Sequence, residues 1–114
     1  MGITDEQLAQ LGADCDSALE RFGGDRDFYA FILDTFLNEE KDVALEQALA
    51  TNDPAKLERT AHNIKGAAAN LGLTPLYGEA AAAVDLVRTG DYPAARERAQ
   101  AATDEFRRLK SLQR

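Results

Sequence analysis

Apolar residues return every three or four positions along most of the chain, and residues that start or stop helices interrupt that rhythm at short intervals. Leu57, Ala61, Ile64, Ala68 and Leu71 alternate steps of four and three, the spacing of a helix that buries one narrow face. The punctuation supplies the boundaries. "TDEQ" at 4–7 reads as a capping box, with Thr4 as N-cap and Gln7 reaching back, and Leu8 and Leu11 give that helix its apolar side. "SALE" at 17–20 reads as a second box, and Gly23-Gly24 ends the short helix it opens. Asp25 is placed to cap a long helix running to about Thr51. "DP" at 53–54 and "TP" at 74–75 each set an N-cap residue before a proline at the first helical position. Gly72 and Gly90 close the two helices that follow, and "DYP" at 91–93 opens a last one to about Leu112.

The pattern therefore predicts two short helices and four long ones, with connections of only a few residues, which makes neighbours antiparallel. The expected fold is all-α: an up-down antiparallel four-helix bundle with short N-terminal capping helices. It forms a single domain over 1–114 with its bundle core at about 25–112. Segment 28–37, "FYAFILDTFL", is apolar on more than one side. One side must face the bundle. The N-terminal helices are expected to cover most of the rest, leaving a smaller apolar patch for a partner.

Composition narrows the function classes. With 114 residues, 45% hydrophobic and 29% charged, the chain is an ordinary globular domain. A net charge of −7 argues against nucleic-acid binding. No apolar run is long enough to span a membrane. "MGITDEQL" lacks a signal-peptide core and the hydroxyl residue of a myristoylation signal. The single cysteine, Cys15, excludes an internal disulfide and reads as a half-buried thiol in a cytoplasmic protein. The acidic run "NEEKD" at 38–42 reads as a solvated helix face.

Candidate chemistry gathers in "TAHNIKGAAANLG" at 60–72, which holds the sole histidine, His62. At about 100° per residue, His62 lies well over a right angle from the centre of the apolar stripe, so it faces solvent. Lys65, Gly66 and Ala69 follow at i+3, i+4 and i+7 and share its face. A glycine inside a helix costs about 1 kcal/mol relative to alanine. Here it leaves bare backbone beside an exposed ring, clearance for a partner's reactive group. Lys65 disfavours the imidazolium, keeping His62 a neutral nucleophile, and can pair with an anion placed on the ring. Glu58 at i−4 is within reach of the ring and its tautomer.

"HNIKGAAANLG", 62–72, resembles the signature of histidine phosphotransfer (HPt) domains: His, two residues, Lys-Gly, small residues, then a closing glycine. "FGGDRDFYAFILDTFLNEE" and "RTGDYPAARERAQ" resemble that family's flanking segments, so the likeness spans roughly 14 to 112. "EAAAAVDLVR" at 79–88 is more alanine-rich than the family's pattern. The resemblance implies a helical bundle that relays phosphoryl groups. His62 is then the phosphorylated residue, Lys65 the lysine that supports the phosphoryl group, and Gly66 the glycine that keeps the histidine accessible. Ala67, Ala69 and Gly72 fall on the family's small or closing positions. Glu58, Arg59, Ala69 and Asn70 are the candidate partner-binding residues around it. The implied partners are response-regulator receiver domains and a sensor or hybrid histidine kinase, with the carrier acting as a monomer.

The sequence has no Walker loop and no kinase glycine-rich loop, and no acidic cluster beside His62 to hold a metal. The expectation is a phosphoryl carrier rather than an enzyme, without a cofactor of its own, dependent on Mg2+ held by the partner receiver. A sensor-kinase dimerisation domain, which follows its histidine with an acidic residue and a proline, fits less well: Asn63 follows here, and the next proline is Pro75. The alternative is an HPt-like helical adaptor that binds a receiver or kinase without being phosphorylated. Retention of His62, Lys65 and Gly66 together speaks against it.

Overall fold

A computed structural model describes residues 4–11 and 14–112. Met1, Gly2 and Ile3, on which the reading of the N-terminus partly rests, lie outside them. Seven helices follow one another: α1 (Asp5–Leu11), α2 (Cys15–Arg21), α3 (Arg26–Leu37), α4 (Lys41–Ala50), α5 (Pro54–Leu71), α6 (Thr74–Arg88) and α7 (Tyr92–Leu112). α5 packs against α4 and α6, and α7 closes the ring by packing against α6 and α4. The preceding α1, α2 and α3 lie on this helical bundle through α5 and α7.

The apolar stripe of α5 is the bundle's inner face: Leu57, Ala61, Ile64, Ala68 and Leu71 are all buried. Across the seam, α6 contributes Leu76, Ala80, Ala83 and Val84, and α7 contributes Ala95, Ala99 and Ala102. Small side chains on facing stripes let these helices approach closely. Phe36 of α3 meets Phe106 of α7 edge to face, centroids 5.2 Å apart, the geometry ring quadrupoles favour. On the α4–α7 side, Asp42 is buried and accepts from Arg107 Nε at 3.2 Å, while Arg107 also pairs with Glu46.

Several caps stand where the sequence puts them. Gln7 N donates to Thr4 Oγ1 and Thr4 N to Gln7 Oε1, a closed capping box. Asp25 accepts from Phe28 N, Asp53 from Lys56 N and Asp91 from Ala94 N. Gly72 and Gly90 end α5 and α6 with left-handed backbone, φ 70° and 87°.

Five expectations need correction. The long helix from Asp25 to Thr51 is two helices, broken at 38–40 with Glu40 in a left-handed conformation, φ 56°. An unbroken helix would carry the α3 stripe (Tyr29, Leu33, Phe36) on to Glu40, Ala44 and Gln47. The break rotates the chain so that Leu45, Ala48 and Leu49 are buried instead. "SALE" does not open α2, which starts two residues earlier because Cys15 and Ala18 are both buried; Ser17 is exposed inside the helix. Thr74 is not an N-cap but the first residue of α6, and its hydroxyl donates to Asp14 Oδ2 at 2.7 Å. The N-terminal helices cover segment 28–37 only in part: Phe28 and Phe31 remain 47% and 64% exposed. Cys15, read as half-buried, is fully buried with Sγ 3.7 Å from Gly72 O.

The carboxyl end of α5 is where the N-terminal helices dock. Arg21 donates to Ala69 O and Asn70 O at 2.9 and 3.0 Å. Tyr29 Oη donates to Leu71 O at 2.6 Å. Asn70 O and Leu71 O are among the carbonyls that a helix end leaves without internal partners, and Ala69 O also accepts from Gly72 N at 3.3 Å. Burial pushes the Cys15 thiol up, and burial together with the contact to Cys15 pushes the Tyr29 hydroxyl up. Both stay neutral donors.

Gly72 should therefore tolerate no side chain. Its φ is left-handed, and a Cβ there would meet Asp14 O at 2.5 Å. Gly23 is also left-handed, but a Cβ there meets nothing within 4 Å. Chemical denaturation should show Gly23→Ala losing about 1–2 kcal/mol, the left-handed penalty alone, and Gly72→Ala losing clearly more. Equal losses would mean that α2 does not rest on Gly72.

Candidate functional site

The site is built on α5 because that helix must be buried on one side and can be bare on the other. Its N-terminus is fixed by Asp53 and Pro54, and its C-terminus by Gly72, Arg21 and Tyr29. His62 lies between these anchors, on the face opposite the core stripe, and is exposed. The imidazole is thus presented from a rigid element while remaining open to a partner.

Gly66 is exposed one turn further on, and an added Cβ there would meet nothing within 4 Å. Its backbone is not left-handed. Neither internal packing nor local conformation asks for glycine at this position. Ala69 continues the low strip and is exposed as well.

The α5–α6 seam sets what surrounds the ring. Arg88 Nε donates to Glu58 Oε1 at 2.7 Å, and Ala69 shares the wall of a hollow with Tyr77. Lys65 is half-buried, its stem covered while its ammonium can reach solvent. Among the described residues no carboxylate pairs with Lys65, which stands at i+3 from His62.

The candidate partner-binding residues divide between two flanks. Glu58 and Ala69 lie toward α6. The Glu58 carboxylate is engaged by Arg88, so its place beside the ring does not make it the ring's hydrogen-bond partner. Ala69 borders a hollow of about 390 Å3 whose wall includes Arg21, Ser17 and Tyr77. Arg59 is exposed on the outer face. Asn70 lies toward α3, in an apolar hollow of about 250 Å3 that also takes in Phe22, Ile32, Phe36 and Ala67. One contiguous helix face thus carries His62, Gly66 and Ala69, with Lys65 at its edge.

Sequence reasoning missed Arg88 and Tyr77. Both lie on the α6 flank that faces α5, but their relation to His62 depends on inter-helix register, which no periodicity reveals. Among the described residues no three His, Cys, Asp or Glu side chains converge as a metal site. Among the described residues no helix is long and apolar enough to cross a membrane.

The Hpt domain family model matches residues 32–112, from the second half of α3 to the end of α7. Comparison with curated proteins and with solved structures finds no match. The matched segment contains the whole of α5 with His62, Lys65 and Gly66, and it ends where α7 ends. An all-helical bundle with that motif on a solvent-facing helix, matched over most of its length, belongs to the Hpt domain family, whose members are phosphotransfer carriers in two-component phosphorelays.

Proposed function

We propose that this chain is a phosphorelay intermediate in which His62 takes a phosphoryl group from a receiver-domain aspartate, or from a kinase, and passes it to the aspartate of another receiver. The observation that carries this reading is the pairing of an exposed sole histidine with a glycine the fold does not need. A neutral imidazole nitrogen attacks phosphorus, the bond from phosphorus to the aspartyl oxygen breaks, and the carboxylate leaves with its electron pair. The proton on the ring's other nitrogen is free to exchange with water. Return transfer reverses these bonds. Phosphoryl transfer depends mainly on position and electrostatics, so a rigid helix with an open ring and a nearby cation is chemically sufficient. A receiver supplies the acidic pocket and its Mg2+.

Charge supports the same partner. Between Pro54 and Leu71 the chain has Lys56, Arg59 and Lys65 against the single acid Glu58, although the whole chain is at −7. This basic island would meet a receiver's acidic pocket with favourable potential and raise the rate of encounter. Phe28 and Phe31 on α3 add exposed apolar surface that a receiver could cover.

His62→Gln should abolish acceptance of label from phosphorylated receivers mixed with Mg2+, while the melting curve stays in place because the ring is exposed. Loss of folding in that variant would make the ring structural. Receivers that bind the wild-type chain but never label it would favour the unphosphorylated adaptor. Gly66→Ala should stabilise the fold by about 0.5–1 kcal/mol, since alanine is the better helix former and no neighbour obstructs its methyl group. Gly66→Leu should slow transfer about tenfold or more without unfolding the chain. Unchanged transfer in Gly66→Leu would remove the clearance argument.

A further inference from the structure

Arg88 ends α6, yet its guanidinium works on α5. Its Nε donates to Glu58 Oε1, and Glu58 stands four residues before His62 on the same side of the helix. The guanidinium is therefore tethered about one helical turn from the imidazole. The pair is partly solvated, with side-chain exposures of 57% for Arg88 and 31% for Glu58, so it adds little to stability. The seam between α5 and α6 is already held by buried Ile64, Ala68, Ala80 and Val84.

Among the described residues, only Nε of this guanidinium is engaged. Its two terminal amino groups remain free, and a guanidinium offers paired donors that match phosphoryl oxygens. Lys65 lies one turn beyond His62, and Arg88 reaches the helix one turn before it. A phosphoryl group on the ring would carry more charge than Glu58 and present three acceptor oxygens. It would compete for the guanidinium at short range, where neither partner is fully solvated.

On the reading of His62 as the phosphoryl carrier, we infer that Arg88 is a phosphoryl-positioning residue, held by Glu58 while His62 is free and drawn onto the phosphoryl group once the ring carries it. Hydrolysis of phosphohistidine has water attack phosphorus as the bond between phosphorus and nitrogen breaks. The ring leaves with the electron pair, assisted by a proton on its other nitrogen. A cation beside the phosphoryl group disfavours that extra positive charge on the ring. It also holds the dianion. Arg88 thus lengthens the life of the carried group between partners.

The test needs no receiver. The full chain is phosphorylated with phosphoramidate, the donor is removed, and loss of phosphohistidine is followed by 31P NMR. Arg88→Gln should shorten the lifetime about threefold or more with an unchanged melting curve, and Arg88→Lys should restore part of it. Glu58→Gln should lengthen the lifetime in the wild-type background and have no effect alongside Arg88→Gln, because Glu58 acts through Arg88. Equal decay in wild type and Arg88→Gln overturns the inference alone. So does an equal effect of Glu58→Gln in both backgrounds. A wild-type chain that takes no label at His62 sinks the carrier reading and the inference together.

Discussion

The structure turns on how the carboxyl end of α5 is held. Ala69, Asn70 and Leu71 expose carbonyls at a helix terminus, and Arg21 and Tyr29 from the N-terminal helices donate to them. Gly72 gives the left-handed turn that ends the helix and lets the backbone at Asp14 come close. With that end fixed and the other capped by Asp53, one face of α5 is committed to the core over its whole length. The opposite face can then be left bare without loosening the helix. Rigid presentation of an exposed ring is what a carrier histidine needs, because a partner must align its own group against it.

The glycine at 66 has an energetic meaning in this frame. A mid-helix glycine is a cost that the fold does not recover through any contact. Natural domains accept such costs where activity needs the space. The alanine-rich seam between α5 and α6 acts differently. It brings the helices close, and that closeness sets Arg88 beside Glu58 and Tyr77 beside Ala69. The seam thus shapes one flank of the site as well as the core.

Much of this was legible in the sequence. The α5 stripe, the exposure of His62 and the caps at Thr4, Asp25, Asp53 and Asp91 follow from spacing and side-chain chemistry alone. The break between α3 and α4 was legible in principle: continuing the stripe would carry Glu40 and Gln47 to the core, an arrangement burial forbids. Thr74 and Ser17 were misread because local capping patterns cannot show a tertiary partner. Asp14 engages Thr74 across sixty residues, and burial of Cys15 draws the start of α2 forward. Arg88 was invisible for a related reason, since register between helices is set by packing in three dimensions.

Whether His62 itself carries a phosphoryl group is read by 15N labelling of histidine followed by reaction with phosphorylated receivers and magnesium. The chain has one histidine, so one imidazole reports. A carrier histidine gives 31P–15N coupling at that ring, lost in acid and kept in base. Phosphoryl transfer to an oxygen with no coupling at His62, or receivers that bind and leave the ring unmodified, would contradict that role.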